Sequence, residues 1–151
     1  MFFDRDIMLF HLEAANSTDI ISRIATRLTD AGIVKPDFGE HVLEREAKYP
    51  TGLQTKALGV AIPHTDSTYV NQSQIAFASL KNPVRFKDMT DSNKEIEVSL
   101  VFMIAMSKPH EQMTLLSNLM TLFQNGSALI KLLQSNDIAE VKGVLKENSI
   151  E

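Results

Sequence analysis

Apolar residues along this chain fall either in short continuous or alternating runs or at helical spacing, and the changes between the two mark its elements. The apolar run from Ile7 to Leu12 predicts a first strand. Asn16-Ser17 supplies a polar cap, after which Ile20, Ile21, Ile24, Ala25 and Leu28 share one helical face until Gly32 stops the helix. A second helix is predicted from Pro36-Asp37, an acidic first turn behind a proline, through Phe38, Val42 and Leu43 to about Lys48. Pro50-Thr51-Gly52 then breaks it.

Val60-Ala61-Ile62, Gln74 to Leu80 and Val98 to Ala105 are short runs bounded by turn-forming residues, and predict further strands. The polar cluster Asp88 to Lys94 between the last two predicts a solvated loop, because such side chains hydrogen-bond their own backbone in turns. Ser107 is expected to cap a third helix, with Pro109 in its first turn and Met113, Leu116, Leu119, Met120 and Phe123 on its buried face. Asn125-Gly126 ends that helix. Two short helices follow, from about Ser127 to Leu133 and from about Asp137 to Leu145, the latter with Ile138, Val141 and Val144 inward.

Strands interleaved with helices predict an α/β (α+β) sandwich, a mixed sheet flanked by helices. The 151 residues contain no internal repeat and no low-complexity linker, and a single domain over residues 1–151 is expected. Periodicity says nothing about strand order.

Composition narrows the chemistry. A net charge of −4 with scattered charges leaves no basic stripe of the kind that tracks a phosphate backbone, so nucleic acid is not expected as a partner. The absence of cysteine removes disulfides, thiolate metal sites and thiol nucleophiles. Leu100 to Met106, among the longest apolar runs, falls far short of the ~20 residues of a membrane-spanning helix. The start, Met1-Phe2-Phe3-Asp4-Arg5-Asp6, lacks a basic region followed by a long apolar segment, and a cytoplasmic protein is expected.

Against that background one histidine stands out. Pro63 pushes Ile62 toward extended geometry and removes a backbone donor, ending a buried strand sharply with His64 just beyond it. Ends of strands in α/β folds are where ligand sites gather. Thr65, Asp66, Ser67 and Thr68 then offer hydroxyls and backbone amides that suit a phosphoryl oxygen, although Asp66 would repel one unless turned away. Imidazole, with an unperturbed pKa of about 6.5, provides a neutral nitrogen nucleophile near pH 7. On these residues alone, a strand-end histidine that merely caps the chain fits as well.

The wider order is Arg45-Glu46, Pro50-Thr51-Gly52, Gly59-Val60-Ala61-Ile62-Pro63-His64, then Pro109-His110 opening a Leu-rich helix. Over nearly the whole chain this resembles the fructose/mannitol-type enzyme IIA domain of the bacterial phosphoenolpyruvate-dependent sugar phosphotransferase system, most of all its galactitol-specific branch. The resemblance implies a relay in which the histidine phosphocarrier protein HPr donates to His64. His64 then passes the group to a cysteine of a cognate enzyme IIB, and sugar entry runs through a separate membrane subunit, enzyme IIC. It also implies phosphorylation on Nε2, with Nδ1 bonded to an orienting group. No metal or organic cofactor is implied.

Supporting roles attach to other residues. His110, in the first turn of its helix, is expected to donate to phosphate, and Arg45 to stabilise charge on the phosphoryl oxygens. Thr51 and Thr65 are expected in the phosphate pocket, with a surface role as the alternative for His110 and Arg45 and a turn role for Thr51. His11 and His41 fit no motif, and a metal site would need all four histidines to converge. Three alternatives stand beside the relay. One is a regulatory, nitrogen-type enzyme IIA acting by phosphorylation-dependent protein binding. Another is a hydrolase using His64 as general base with Asp66 or Glu46 as orienter. The last is a non-catalytic interaction domain.

Overall fold

The computed structural model describes residues 2–150. Its strands are β1 (Met8–Leu12), β2 (Gly52–Gln54), β3 (Gly59–Ala61), β4 (Gln74–Asp88) and β5 (Asp91–Ala105). Its helices are α1 (Ser17–Asp30), α2 (Phe38–Lys48), α3 (Pro109–Phe123), α4 (Gly126–Gln134) and α5 (Ile138–Glu147). The sandwich expected from the sequence is present: a mixed sheet with helices on both faces. No helix among the described residues is long and apolar enough to cross a membrane.

β5 lies between antiparallel β4 and parallel β3, β1 runs parallel along β4, and β2 is antiparallel to β3. At the tip of the β4–β5 hairpin the circuit closes, because Asp88 pairs with Gly52 of β2. β4, β5, β3 and β2 therefore pair in a ring, joined at one narrow point. Glycine is required there: a Cβ on Gly52 would lie 2.5 Å from the Lys87 carbonyl oxygen.

Alternation along β5 divides the core. Leu100, Phe102 and Ile104 join Ile75 and Phe77 of β4 against α3, α4 and α5, while Val101, Met103 and Ala105 pack with Ala76 and Ala78 against α1 and α2. Each large side chain so buried contributes about 1.5–3 kcal/mol before entropy is charged against it. The helix starts follow their caps: the side chains of Asn16, Asn125 and Asp137 accept from the backbone N–H of Asp19, Ala128 and Glu140.

Three expectations are corrected. The polar cluster at 88–94 is not one open loop. The hairpin turns at Met89 and Thr90, with Asp88 opposite Asp91, and the flanking residues are strand. Val84, Phe86, Ile96 and Val98 are buried on one side, while oppositely charged Arg85 and Glu97, and Lys87 and Glu95, face each other across the ladder. At the tip both faces meet solvent, so no apolar alternation announces it. β2, only three residues long, begins at Gly52, the last residue of the break predicted after α2, and no apolar run announces it. In α3 the buried face runs through Leu115, Leu119, Leu122 and Phe123, leaving Met113 75% exposed. The N-cap of α3 is Lys108, without a side-chain cap bond, since the hydroxyl of Ser107 pairs with that of Ser73.

Candidate functional site

β3 is buried throughout, and its pairing with β5 continues past its end: the Ile104 N–H donates to the Pro63 carbonyl at 3.0 Å, and His64 bridges to Ile104. The histidine is thus held by backbone on a buried strand rather than carried on a free loop. Its Nδ1 lies 2.7 Å from the carbonyl oxygen of Ile62. A carbonyl only accepts, so Nδ1 carries the proton and the Nε2 lone pair of the neutral ring is left for chemistry.

Burial pushes the His64 pKa below its ordinary value, and the Arg45 guanidinium acts in the same direction. The bond to Ile62 and the carboxylate of Asp66 work against that shift without overcoming it. Near pH 7 the ring is neutral and nucleophilic.

Arg45, in the last turn of α2, lines a cleft of about 450 Å³ together with His64, Lys48 and Thr51. Its guanidinium carbon sits 5.4 Å from the centre of the Tyr49 ring, which also borders the cleft. The Arg45 Nε is buried and has no hydrogen-bond partner. A buried donor without an acceptor costs about 1–3 kcal/mol, a cost that an anionic ligand oxygen would relieve.

Thr51 is 5% exposed, and its hydroxyl is engaged. The backbone N–H of Thr51 donates to Glu46 Oε2 at 2.8 Å and its Oγ1 donates to Oε1 at 2.7 Å. Burial raises the pKa of Glu46, and the two bonds from Thr51 partly offset that rise.

A further wall of the cleft comes from the tip of the β4–β5 hairpin, residues 89–92. The Met89 N–H donates to the Gly52 carbonyl at 2.8 Å, and Thr90 donates from both its backbone and its hydroxyl to Asp88 Oδ1. Nothing in the hydrophobic pattern points to these residues. They line the same cleft as His64 where the strand circuit closes at Gly52.

The remaining candidates lie outside the lining of this cleft. Thr65, the residue after His64, is buried and does not line the cleft. His110 is exposed in the first turn of α3, which leaves the same end of β5 that His64 pairs with. His11 bonds Asn136, and His41 stacks on Tyr69 at 3.9 Å between Asp37 and Glu44. Among the described residues, no three His, Cys, Asp or Glu side chains are grouped to hold a metal.

An oriented imidazole nitrogen that shares a cleft with a permanent cation and an unpaired N–H has the chemistry needed to capture a small, highly charged electrophile. Comparison with known proteins points the same way. The family described as phosphoenolpyruvate-dependent sugar phosphotransferase system, EIIA 2, matches residues 1–148. The chain is 31% identical over 134 residues to the transcriptional regulator ManR of Bacillus subtilis, a match covering 87% of this chain and 19% of the regulator. It thus spans about a fifth of that protein's length. It is 27% identical over 133 residues to the galactitol-specific EIIA component of Escherichia coli, covering 88% of this chain and 81% of that protein. Its fold is similar to a solved complex of the mannitol enzyme IIA with phosphorylated enzyme IIB from Escherichia coli, with a TM-score of 0.76 at 23% identity, covering 93% of this chain and 94% of that one.

Proposed function

The chain belongs to the EIIA 2 family of the phosphoenolpyruvate-dependent sugar phosphotransferase system and is a phosphoryl-transfer component, and from that membership we propose that His64 carries the phosphoryl group. The observation that supports this most is the bond from His64 Nδ1 to the Ile62 carbonyl, which leaves Nε2 as the nucleophile. Nε2 attacks phosphorus of the donor, HPr, as the donor's own P–N bond breaks. The Nδ1 proton stays on the ring, shared with Ile62. That retained proton keeps the imidazole a good leaving group, so a thiolate of enzyme IIB displaces it as the P–Nε2 bond breaks. Enzyme IIC takes part only downstream of enzyme IIB.

Arg45 faces the phosphoryl oxygens across the cleft, where charge spread over them during transfer meets a fixed cation. His110, Thr51 and Thr65 have supporting parts: His110 as a second donor from the start of α3, and the two threonines as walls of the pocket. The domain spans residues 1–151, works in the cytoplasm and serves a galactitol-type sugar alcohol system, a reading supported by the similarity to the galactitol-specific component.

A regulatory role is the second reading, favoured by the similarity to ManR. The same phosphohistidine would then control binding to another protein. Incubating the chain with phosphoenolpyruvate, enzyme I and HPr tests the shared step. The expected product is an acid-labile, base-stable phosphoryl adduct that is lost in His64→Ala, and an adduct that survives the substitution would overturn the assignment. Normal uptake of every tested sugar alcohol after deletion would overturn the transport reading.

A further inference from the structure

Glu46 is adjacent in sequence to Arg45, yet its carboxylate is spent elsewhere. Consecutive helix residues point about 100° apart, so Arg45 turns to the cleft while Glu46 meets the chain that leaves the helix. Both of its oxygens accept from one residue, Thr51, which supplies its N–H at 2.8 Å and its hydroxyl at 2.7 Å. These two bonds span the reversal at Tyr49 and Pro50, where α2 ends and β2 begins.

The connection does not stop at Thr51. The next residue, Gly52, accepts the Met89 N–H through its carbonyl and pairs with Asp88, so the hairpin tip hangs on the same short segment. Glu46 therefore stands at the head of a continuous path from the helix that carries Arg45 to the hairpin wall of the same cleft. Pro50 has no N–H to donate, which leaves Thr51 as the first backbone donor after the helix break.

We propose that Glu46 is a positioning residue for phosphoryl transfer: by gripping Thr51 at two points it sets the separation between Arg45 and the hairpin wall around His64. The inference rests on the phosphohistidine reading above. Geometry, not charge, does the positioning. A glutamine in place of Glu46 keeps both bonds, its amide oxygen accepting the Thr51 N–H and its amide nitrogen donating to the Thr51 hydroxyl.

The test compares Glu46→Ala, Glu46→Gln and Thr51→Val in the full chain by two measurements. Amide hydrogen exchange at Met89 is followed in the unphosphorylated protein, and the rate of His64 phosphorylation is followed against HPr concentration. In Glu46→Ala, exchange at Met89 is expected to rise about tenfold or more, since its bond to Gly52 is no longer anchored. The maximal phosphorylation rate is expected to fall about tenfold or more with the half-saturating HPr concentration changed less than about twofold, the mark of lost alignment rather than lost docking. Glu46→Gln is expected to stay within about threefold of wild type in both.

Wild-type behaviour of Glu46→Ala would overturn the proposal, and so would a Glu46→Gln variant as impaired as Glu46→Ala. Should Glu46→Ala not fold, Thr51→Val removes one of the two bonds, and unchanged exchange and rate in that variant would overturn it equally. If the wild type gains no adduct at His64, the phosphohistidine reading fails, while exchange at Met89 still decides whether Glu46 holds the wall.

Discussion

The Nδ1 of His64 points at the carbonyl of the residue two before it, Ile62, at 2.7 Å, and this short local bond fixes both the tautomer and the direction of the ring. Phosphorylation is therefore expected on Nε2 alone. Nitrogen-15 NMR of the adduct, which distinguishes the two ring positions, checks this directly. A phosphoryl group on Nδ1 would require the bond to Ile62 to be broken and would contradict the proposed geometry.

The lowered pKa of His64 gives two pH effects with definite signs. Acceptance needs the neutral ring, so the rate should hold as pH falls through about 6.5, the ordinary histidine value, and decline only below it. Stability follows the same shift. Between the folded pKa and about 6.5 the unfolded chain binds more protons than the folded one, so the contribution of this site is complete above about 6.5 and is lost as pH falls through the folded pKa. Denaturant titrations across that window should show a shallower pH dependence for His64→Gln than for wild type.

Arg45 is expected to separate activity from stability. Arg45→Met removes the cation beside His64 and should slow transfer about 10²-fold or more. It also removes a buried N–H without a partner, whose cost is about 1–3 kcal/mol, and leaves an apolar chain beside Tyr49. The variant should therefore melt no lower than wild type despite its defect. Arg45→Lys should recover only part of the rate, because an ammonium lacks the planar fork and the Nε donor. Stopped transfer assays paired with thermal melts measure both sides.

Most of the scaffold was legible because its elements bury one face. Ile20 to Leu28 shows the helical spacing plainly and Leu100 to Ala105 is a continuous apolar run, and each forms the predicted helix or strand. Legibility failed where burial is uneven. In α3 both Met113 and Leu115 are apolar, but only Leu115 packs inward, and period alone does not separate neighbouring stripes on an apolar helix. At the site, Pro63-His64 marks the proposed nucleophile because proline ends a strand in a stereotyped way, and Arg45 and Thr51 border the same cleft. The wall at residues 89–92 was hidden, since it depends on Gly52 meeting Asp88, a contact between segments far apart in sequence and without a local signal. Glu46 was visible as part of a motif, but its grip on Thr51 is a tertiary fact.

Two glycine substitutions should act in opposite directions and so test the closure of the strand circuit. In Gly52→Ala the added Cβ would meet the Lys87 carbonyl oxygen at 2.5 Å and the Phe86 Cβ at 3.1 Å. Neither neighbour is the loose end of a side chain, so β2 must move off β4, at an expected cost of about 1–3 kcal/mol. Because Gly52 also carries the bond to Met89, that movement should open the cleft and reduce phosphorylation of His64 beyond what lost stability explains. Gly143, inside α5, has nothing within 4 Å of its would-be Cβ, and there Ala should stabilise by about 0.5–1 kcal/mol through helix propensity alone. Urea titrations of both variants measure the difference. Equal stability of Gly52→Ala and wild type would mean that the hairpin tip is not held against β2.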